Sequence, residues 1–199
     1  MKANRRASLA GVLLLAASIP AAAADAVTYW IQPCSVVASL ACAPEDVDLA
    51  RWAFAAWETA SEGRVHFSES KDRGTARFQL MWAEKDGGLY GETEPIFVKG
   101  QRGAEIHVLA EPPGRGDRLL RDAIVYLTCL HESGHALGLA HTREFADIMY
   151  SFQYGGDIPE YFGRYRRRLM TRDDIRKNPG MSPADRAALI KSISEGILR

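Results

Sequence analysis

His131-Glu132-Ser133-Gly134-His135-Ala136-Leu137-Gly138-Leu139-Ala140-His141 is the stretch from which the rest of the chain can be read. His131 and His135 are four residues apart, so on a helix they share one face a turn apart and both rings can reach a single ion. Glu132 follows the first histidine by one position, which aims its carboxylate beside that ion, where it can take a proton from a water. Gly138 comes three residues after His135, where a chain leaving a helix sharply needs a residue tolerant of positive φ. His141 then returns as a third imidazole. Three neutral imidazoles leave the fourth tetrahedral position of Zn²⁺ open to water, the arrangement of a catalytic site and not of a closed structural one. Such an ion acidifies the water and polarises a carbonyl. A bare His-Glu-x-x-His occurs by chance in many helices; the glycine and the third histidine, both in register, are what separate this run from that background.

The run resembles the elongated zinc motif of the metzincin metallopeptidases, and Asp147-Ile148-Met149-Tyr150 is similar to the Met-turn that follows it in that clan. Within the clan the likeness is to the matrixins, which include small bacterial members. Thr142 after the third histidine is similar to the Ser usual there, and Met149 lies eight positions after His141. Ser151 stands where an astacin would carry a Tyr ligand. The likeness runs loosely over residues 29–150 and weakens afterwards.

The resemblance implies an α+β, metzincin-like fold. Its parts are a twisted mixed sheet, mostly parallel, packed on two long helices, a cleft across the middle, and a small C-terminal helical part. It implies a zinc endopeptidase acting on polypeptide: His131, His135 and His141 hold the zinc, and Glu132 is the general base and later the proton donor. Met149 forms the hydrophobic base beneath the metal, and Leu127, one turn before His131, helps to floor the specificity pocket. Two rival readings keep the same residues. A peptide-binding or inhibitory module would retain fold and zinc without catalysis, and a zinc amidase or esterase would turn the same water on another bond. Retention of Glu132 favours an enzyme over the module.

The chain has 199 residues, a length that suits one catalytic domain behind a leader, and its 47% hydrophobic content supplies a core. Residues 1–24 read as a secretory signal: Lys2, Arg5 and Arg6 make a basic start, and Leu9 to Ile19 is apolar but too short to span a bilayer. Ala22-Ala23-Ala24 is then a small-residue cleavage site. Residues 25–199 would form a single catalytic domain, 25–141 its upper part and 142–199 the Met-turn and C-terminal part, secreted or periplasmic and monomeric. With the three leader cations gone, 22 basic residues face 25 acidic ones, a net charge of −3 that gives no support to a nucleic-acid partner. No later run is apolar enough to cross a membrane.

Cys34 and Cys42 are eight residues apart in an exported chain, which favours a local disulfide; the alternative is a faint echo, in Pro33-Cys34-Ser35-Val36, of the segment that blocks the zinc in vertebrate matrixins. Cys129, two residues before His131, points elsewhere and reads as a buried thiol. Val27–Ile31, Arg64–Ser68, Thr75–Trp82 and Gly103–Leu109 read as strands, the first so near the expected mature terminus that no folded pro-domain fits before it. Glu45 to Ser61 and Asp117 to Leu137 read as the two long helices, with Trp52 and Trp57 in the core or at its boundary. Gly134 inside the second suggests a close approach by another backbone.

Asp86 to Pro95 is turn-rich and similar to the segment that rims the matrixin cleft. If Gly88 to Thr93 feeds an edge strand there, Gly91 and Thr93 present unpaired backbone groups to an extended peptide. Asp86, Glu92 and Glu94 are candidate ligands for Ca²⁺, which the family often binds, but they lack a loop spacing for it and read better as a solvated loop. His66 and His107 read as ordinary strand residues and Arg164–Arg168 as a solvated helix face. Two segments compete to be the family's last helix, Asp173-Asp174, the pair with which matrixins often enter it, and Ser182 to Ile190, the stronger helix signal with Ser as N-cap and Pro at N1; one of them is an insertion.

Overall fold

The computed structural model describes residues 26–34, 42–83, 90–110 and 116–198. The leader, Asp86 and the start of the rim segment at Gly88 and Leu89 lie outside them. Five strands form one sheet: β1 (Val27–Ile31), β2 (Phe67–Glu69), β3 (Phe78–Ala83), β4 (Gly91–Val98) and β5 (Gln101–Leu109). Their order is β2-β1-β3-β5-β4, with β4 alone antiparallel to its neighbour. The mixed, mostly parallel sheet expected from the sequence is therefore present. β4 turns back into β5 through a two-residue turn in which Lys99 and Gly100 both take positive φ, 50° and 79°. That is the primed hairpin geometry that matches strand twist.

One face of the sheet is covered by α1 (Asp46–Ala60) and α2 (Arg118–Ala136). α1 buries Leu49, Ala50, Ala53, Phe54 and Trp57 at helical spacing, and Phe54 stacks on Tyr29 of β1 with ring centroids 4.3 Å apart. Trp57 sets the register of the two helices. Its indole N–H lies 3.0 Å from both the Leu130 carbonyl and the Ser133 hydroxyl, so a fully buried polar atom is satisfied only at one alignment. Trp52 sits at the boundary, its ring under the guanidinium groups of Arg172 and Arg176.

Several boundaries differ from the sequence reading. β2 begins at Phe67 and not at Arg64, because Glu62 and Gly63 turn the chain at positive φ and the Ser61 hydroxyl ties down the Val65 N–H at 3.1 Å. His66 consequently precedes the strand. β3 begins at Phe78 because Arg73–Thr75 forms a short 3₁₀ turn, capped by the Asp72 carboxylate accepting from Gly74 N–H at 2.9 Å. The edge strand runs on through Pro95 to Val98, whereas the composition of Asp86 to Pro95 predicts turn; an edge position is where a sheet tolerates proline. The neighbours that require Gly134 are side chains and not a backbone. A Cβ there would lie 2.5 Å from Met149 Sδ and 3.0 Å from Trp57 Cζ2.

Beyond Met149 come α3 (Ile158–Arg166), α4 (Asp174–Lys177) and α5 (Pro183–Ser194). Asp173-Asp174 opens only the single turn of α4, whereas α5 starts with a full capping box between Ser182 and Asp185. Arg164 stacks on Phe145 and Tyr161, and Arg166 pairs with Asp117 at 3.0 Å, so this basic run is only partly a solvated face. Cys34 and Cys42 are joined in a disulfide, and Cys129 is a fully buried free thiol whose pKa burial pushes well up. Among the described residues no helix is long and apolar enough to cross a membrane.

Candidate active site

α2 brings His131 and His135 to one face, and the turn after it brings His141 back. Gly138 makes that turn with φ +85°; its N–H donates to the His135 carbonyl at 2.8 Å and the next N–H, of Leu139, to Gly134 at 3.0 Å. The three Nε2 atoms converge with mutual separations of 3.2, 3.2 and 3.1 Å. Among the described residues this is the one group of three or more such side chains able to share a metal. His66 and His107 stand apart from it, each near a glutamate, Glu58 and Glu105 respectively. Glu92 and Glu94, offered for calcium, point to solvent from β4 and join no such group.

The tautomers follow from what the other ring nitrogens face. His131 Nδ1 is 2.6 Å from the Ile148 carbonyl and His135 Nδ1 is 2.8 Å from the Leu139 carbonyl; a carbonyl only accepts, so each Nδ1 carries the proton. Their Nε2 atoms are then lone pairs aimed at one another, an arrangement that suits a cation between them. Zn–N bonds of about 2.0–2.1 Å from a tetrahedral ion set neighbouring nitrogens about 3.3 Å apart, close to the spacing found. The residues fit a zinc ion. Burial, reinforced by the neighbouring His135, pushes the His131 pKa down to about 4, and burial also lowers those of His135 and His141, so all three are neutral and ready to ligate at pH 7.

Glu132 is buried beside this trio. Its carboxylate pKa is pushed up to about 7, first by burial, with the Thr93 hydroxyl opposing and Glu92 adding to the rise. A dication held by the histidines would pull it down again. Met149 is fully buried beneath α2, its sulfur against Gly134, one residue before His135.

A family model, that of the matrixin peptidases, matches residues 22–162. The chain belongs to the matrixin family. It is accordingly a zinc metalloendopeptidase with polypeptide as its substrate. No curated protein matches the chain significantly.

In this matrixin two cavities of about 370 Å³ each share Gly91, Glu132 and His141 in their walls, so these residues lie in a cleft and not under a closed surface. The first continues over β4 and β5 along Thr93, Pro95 and Arg102. The second is aromatic, lined by Leu127, to which the matrixin likeness points, and by Tyr90, Phe152, Ile158, Tyr161 and Phe162, which no motif singles out. α3 delivers three of these. The signal in the sequence is the density of aromatics between Phe145 and Tyr165.

Proposed function

We propose that this matrixin is an exported endopeptidase in which His131, His135 and His141 hold a catalytic zinc and Glu132 is the general base. The observation that carries the reading is the buried Glu132 carboxylate lining both halves of the same cleft as the three converging Nε2 atoms. When bound there, zinc supplies Lewis acidity, making a water a nucleophile near neutral pH and polarising the scissile carbonyl. Glu132 takes the proton from the attacking water at a carboxylate oxygen and returns it to the amide nitrogen, which leaves as an amine. Met149 packs the floor under His135, and the Met-turn carbonyl of Ile148 fixes the ring of His131.

An extended substrate would pair with β4, which among the described residues ends the sheet order, with Gly91 and Thr93 at the metal end of that strand. One of its side chains would enter the aromatic cavity and rest on Leu127. Export rests on the tripartite pattern of residues 1–24, whose removal near Ala24 would leave a single catalytic domain over 25–199.

The test is Glu132→Gln, which keeps size and shape and removes the proton acceptor. General-base assistance is typically worth 10²–10⁴-fold, so hydrolysis of a peptide library should fall by at least roughly that factor while zinc content stays near one per chain. A zinc-loaded wild type that cleaves esters or small amides but no peptide bond would move the assignment to an amidase or esterase. One that cleaves nothing would leave the binding module.

A further inference from the structure

A general base must be aimed as well as present. Glu132 carries a long side chain, is only 6% exposed, and has no cationic partner among the described residues. What holds its carboxylate is Thr93, 39 positions earlier in the chain on the edge strand β4. The Thr93 hydroxyl lies 2.8 Å from Glu132 Oε2 and 2.9 Å from the main-chain carbonyl of the same residue. It has one proton for two acceptors, and the charged one competes better. One oxygen atom is thus in reach of both ends of Glu132, which folds the side chain back on its own backbone and restricts its torsions. The neighbouring glycine closes the other side: a Cβ on Gly91 would stand 2.7 Å from Glu132 Cγ and 2.9 Å from Oε1. β4 alternates here, Gly91 and Thr93 half-buried toward α2 and Glu92 and Glu94 exposed.

We propose that Thr93 is a positioning residue for Glu132: its hydroxyl ties down Oε2 and so fixes the carboxylate that would take the proton, and the strand proposed to pair with substrate also aims the base. This rests on the assignment of Glu132 as general base. It makes β4 more than a template, because a backbone movement of the edge strand on peptide pairing is carried by a single hydrogen bond to the group that takes the proton. Loss of that bond should act on turnover more than on substrate affinity, since it changes an interaction that matters as the proton moves.

The experiment compares Thr93→Val, which keeps the shape and removes the hydroxyl, with Thr93→Ser, which restores it, in the zinc-loaded full chain. Valine should lower kcat about 10- to 100-fold with KM within about 2-fold and zinc content unchanged. Serine should recover kcat to within about 3-fold of wild type. A second measurement needs no zinc and no turnover: the melting shift caused by Thr93→Val in the metal-free protein, taken in the wild-type and in the Glu132→Leu backgrounds. A larger shift in the wild-type background supports the proposal. Equal shifts in the two backgrounds, a valine variant with wild-type kcat, or a serine variant as slow as valine each overturn it. Should Glu132→Gln hydrolyse peptides at the wild-type rate, the base assignment itself fails, and that result is separate from the melting comparison.

Discussion

The Asp185 carboxylate accepts a hydrogen bond from the backbone N–H of Ile148 at 2.9 Å, across 37 positions of chain. The Met149 N–H, which shares its peptide unit with the Ile148 carbonyl, lies 3.4 Å from the other oxygen of that carboxylate, and the Ile148 carbonyl accepts from His131 Nδ1 at 2.6 Å. Asp185 also caps α5 at the Ser182 N–H, 2.7 Å away, and is 1% exposed. A C-terminal helix is thereby tied through one peptide unit to a histidine of the trio, and this picks α5 over α4 as the helix that supports the Met-turn.

Replacing Asp185 by Ala should therefore do two things. It removes a capping box and leaves buried N–H donors unpaired, which costs about 2–4 kcal/mol in denaturant melts. It also frees the peptide that orients His131, and outer partners of metal ligands typically contribute 10- to 100-fold to affinity, so zinc competition against a chelator should show a loss of that order. A destabilised variant with wild-type zinc affinity would show that the Met-turn holds its shape without α5.

Gly138→Ala should lower stability by about 1–3 kcal/mol through strain at positive φ and a forced contact. The φ there is +85°, and the added Cβ would stand 2.6 Å from Ile197 Cγ2 and 2.9 Å from Ser192 Oγ. Because this turn sets the return of His141, zinc affinity should fall with stability. Chemical denaturation and a zinc titration of the same preparation read both effects.

The histidine trio was legible because it depends on local geometry: a helical repeat places two rings, and one glycine, Gly138, places the third. Met149 was legible through the likeness of its segment to the Met-turn. The Thr93 contact was not, because it depends on how β4 lies over α2, which no local pattern encodes. Nor was the aromatic wall, since Tyr161 and Phe162 reach the cleft only through the path of 151–158, and nothing in their helical spacing says which face meets the zinc. Of the two C-terminal candidates, the Ser182 segment carries the stronger helix signal, with Ser as N-cap and Pro at N1. What its sequence does not carry is the burial of Asp185 against Ile148, which ties that helix to the Met-turn.

Metal removal should destabilise the fold, because the Nε2 lone pairs of His131 and His135 are left facing each other at 3.2 Å with His141 Nε2 as close. Zinc at about 1,000 times its Kd adds about 4 kcal/mol by mass action, so a chelator should lower the melting temperature and zinc restore it. Glu132→Gln should keep that response and His135→Ala should lose most of it. A response that survives His135→Ala would place the stabilising ion elsewhere.

Export can be checked by mass alone. Protein recovered from the exported fraction should lack residues 1–24, as their basic, apolar and small-residue parts predict. An intact mass that starts at Met1 in that fraction would contradict the assignment.

Selectivity should follow the aromatic cavity, and Ile158 is the position to change. It is only half-buried at the entry to α3, whereas Tyr161 and Phe162 in the same wall are 5% exposed and belong to the core. Ile158→Trp therefore narrows the cavity without disturbing the packing of Phe162 on Tyr90, whose rings lie 5.1 Å apart. Differences in pocket fit of a methylene or more are typically worth about 1–3 kcal/mol. Cleavage at sites presenting a large apolar side chain to the cavity should fall by about 10- to 100-fold in kcat/KM, and sites presenting a small one should change little. Sequencing the products of a peptide library before and after the substitution decides it. Equal losses across all side-chain sizes would mean that Ile158 supports the fold of the cleft and does not gauge what enters it.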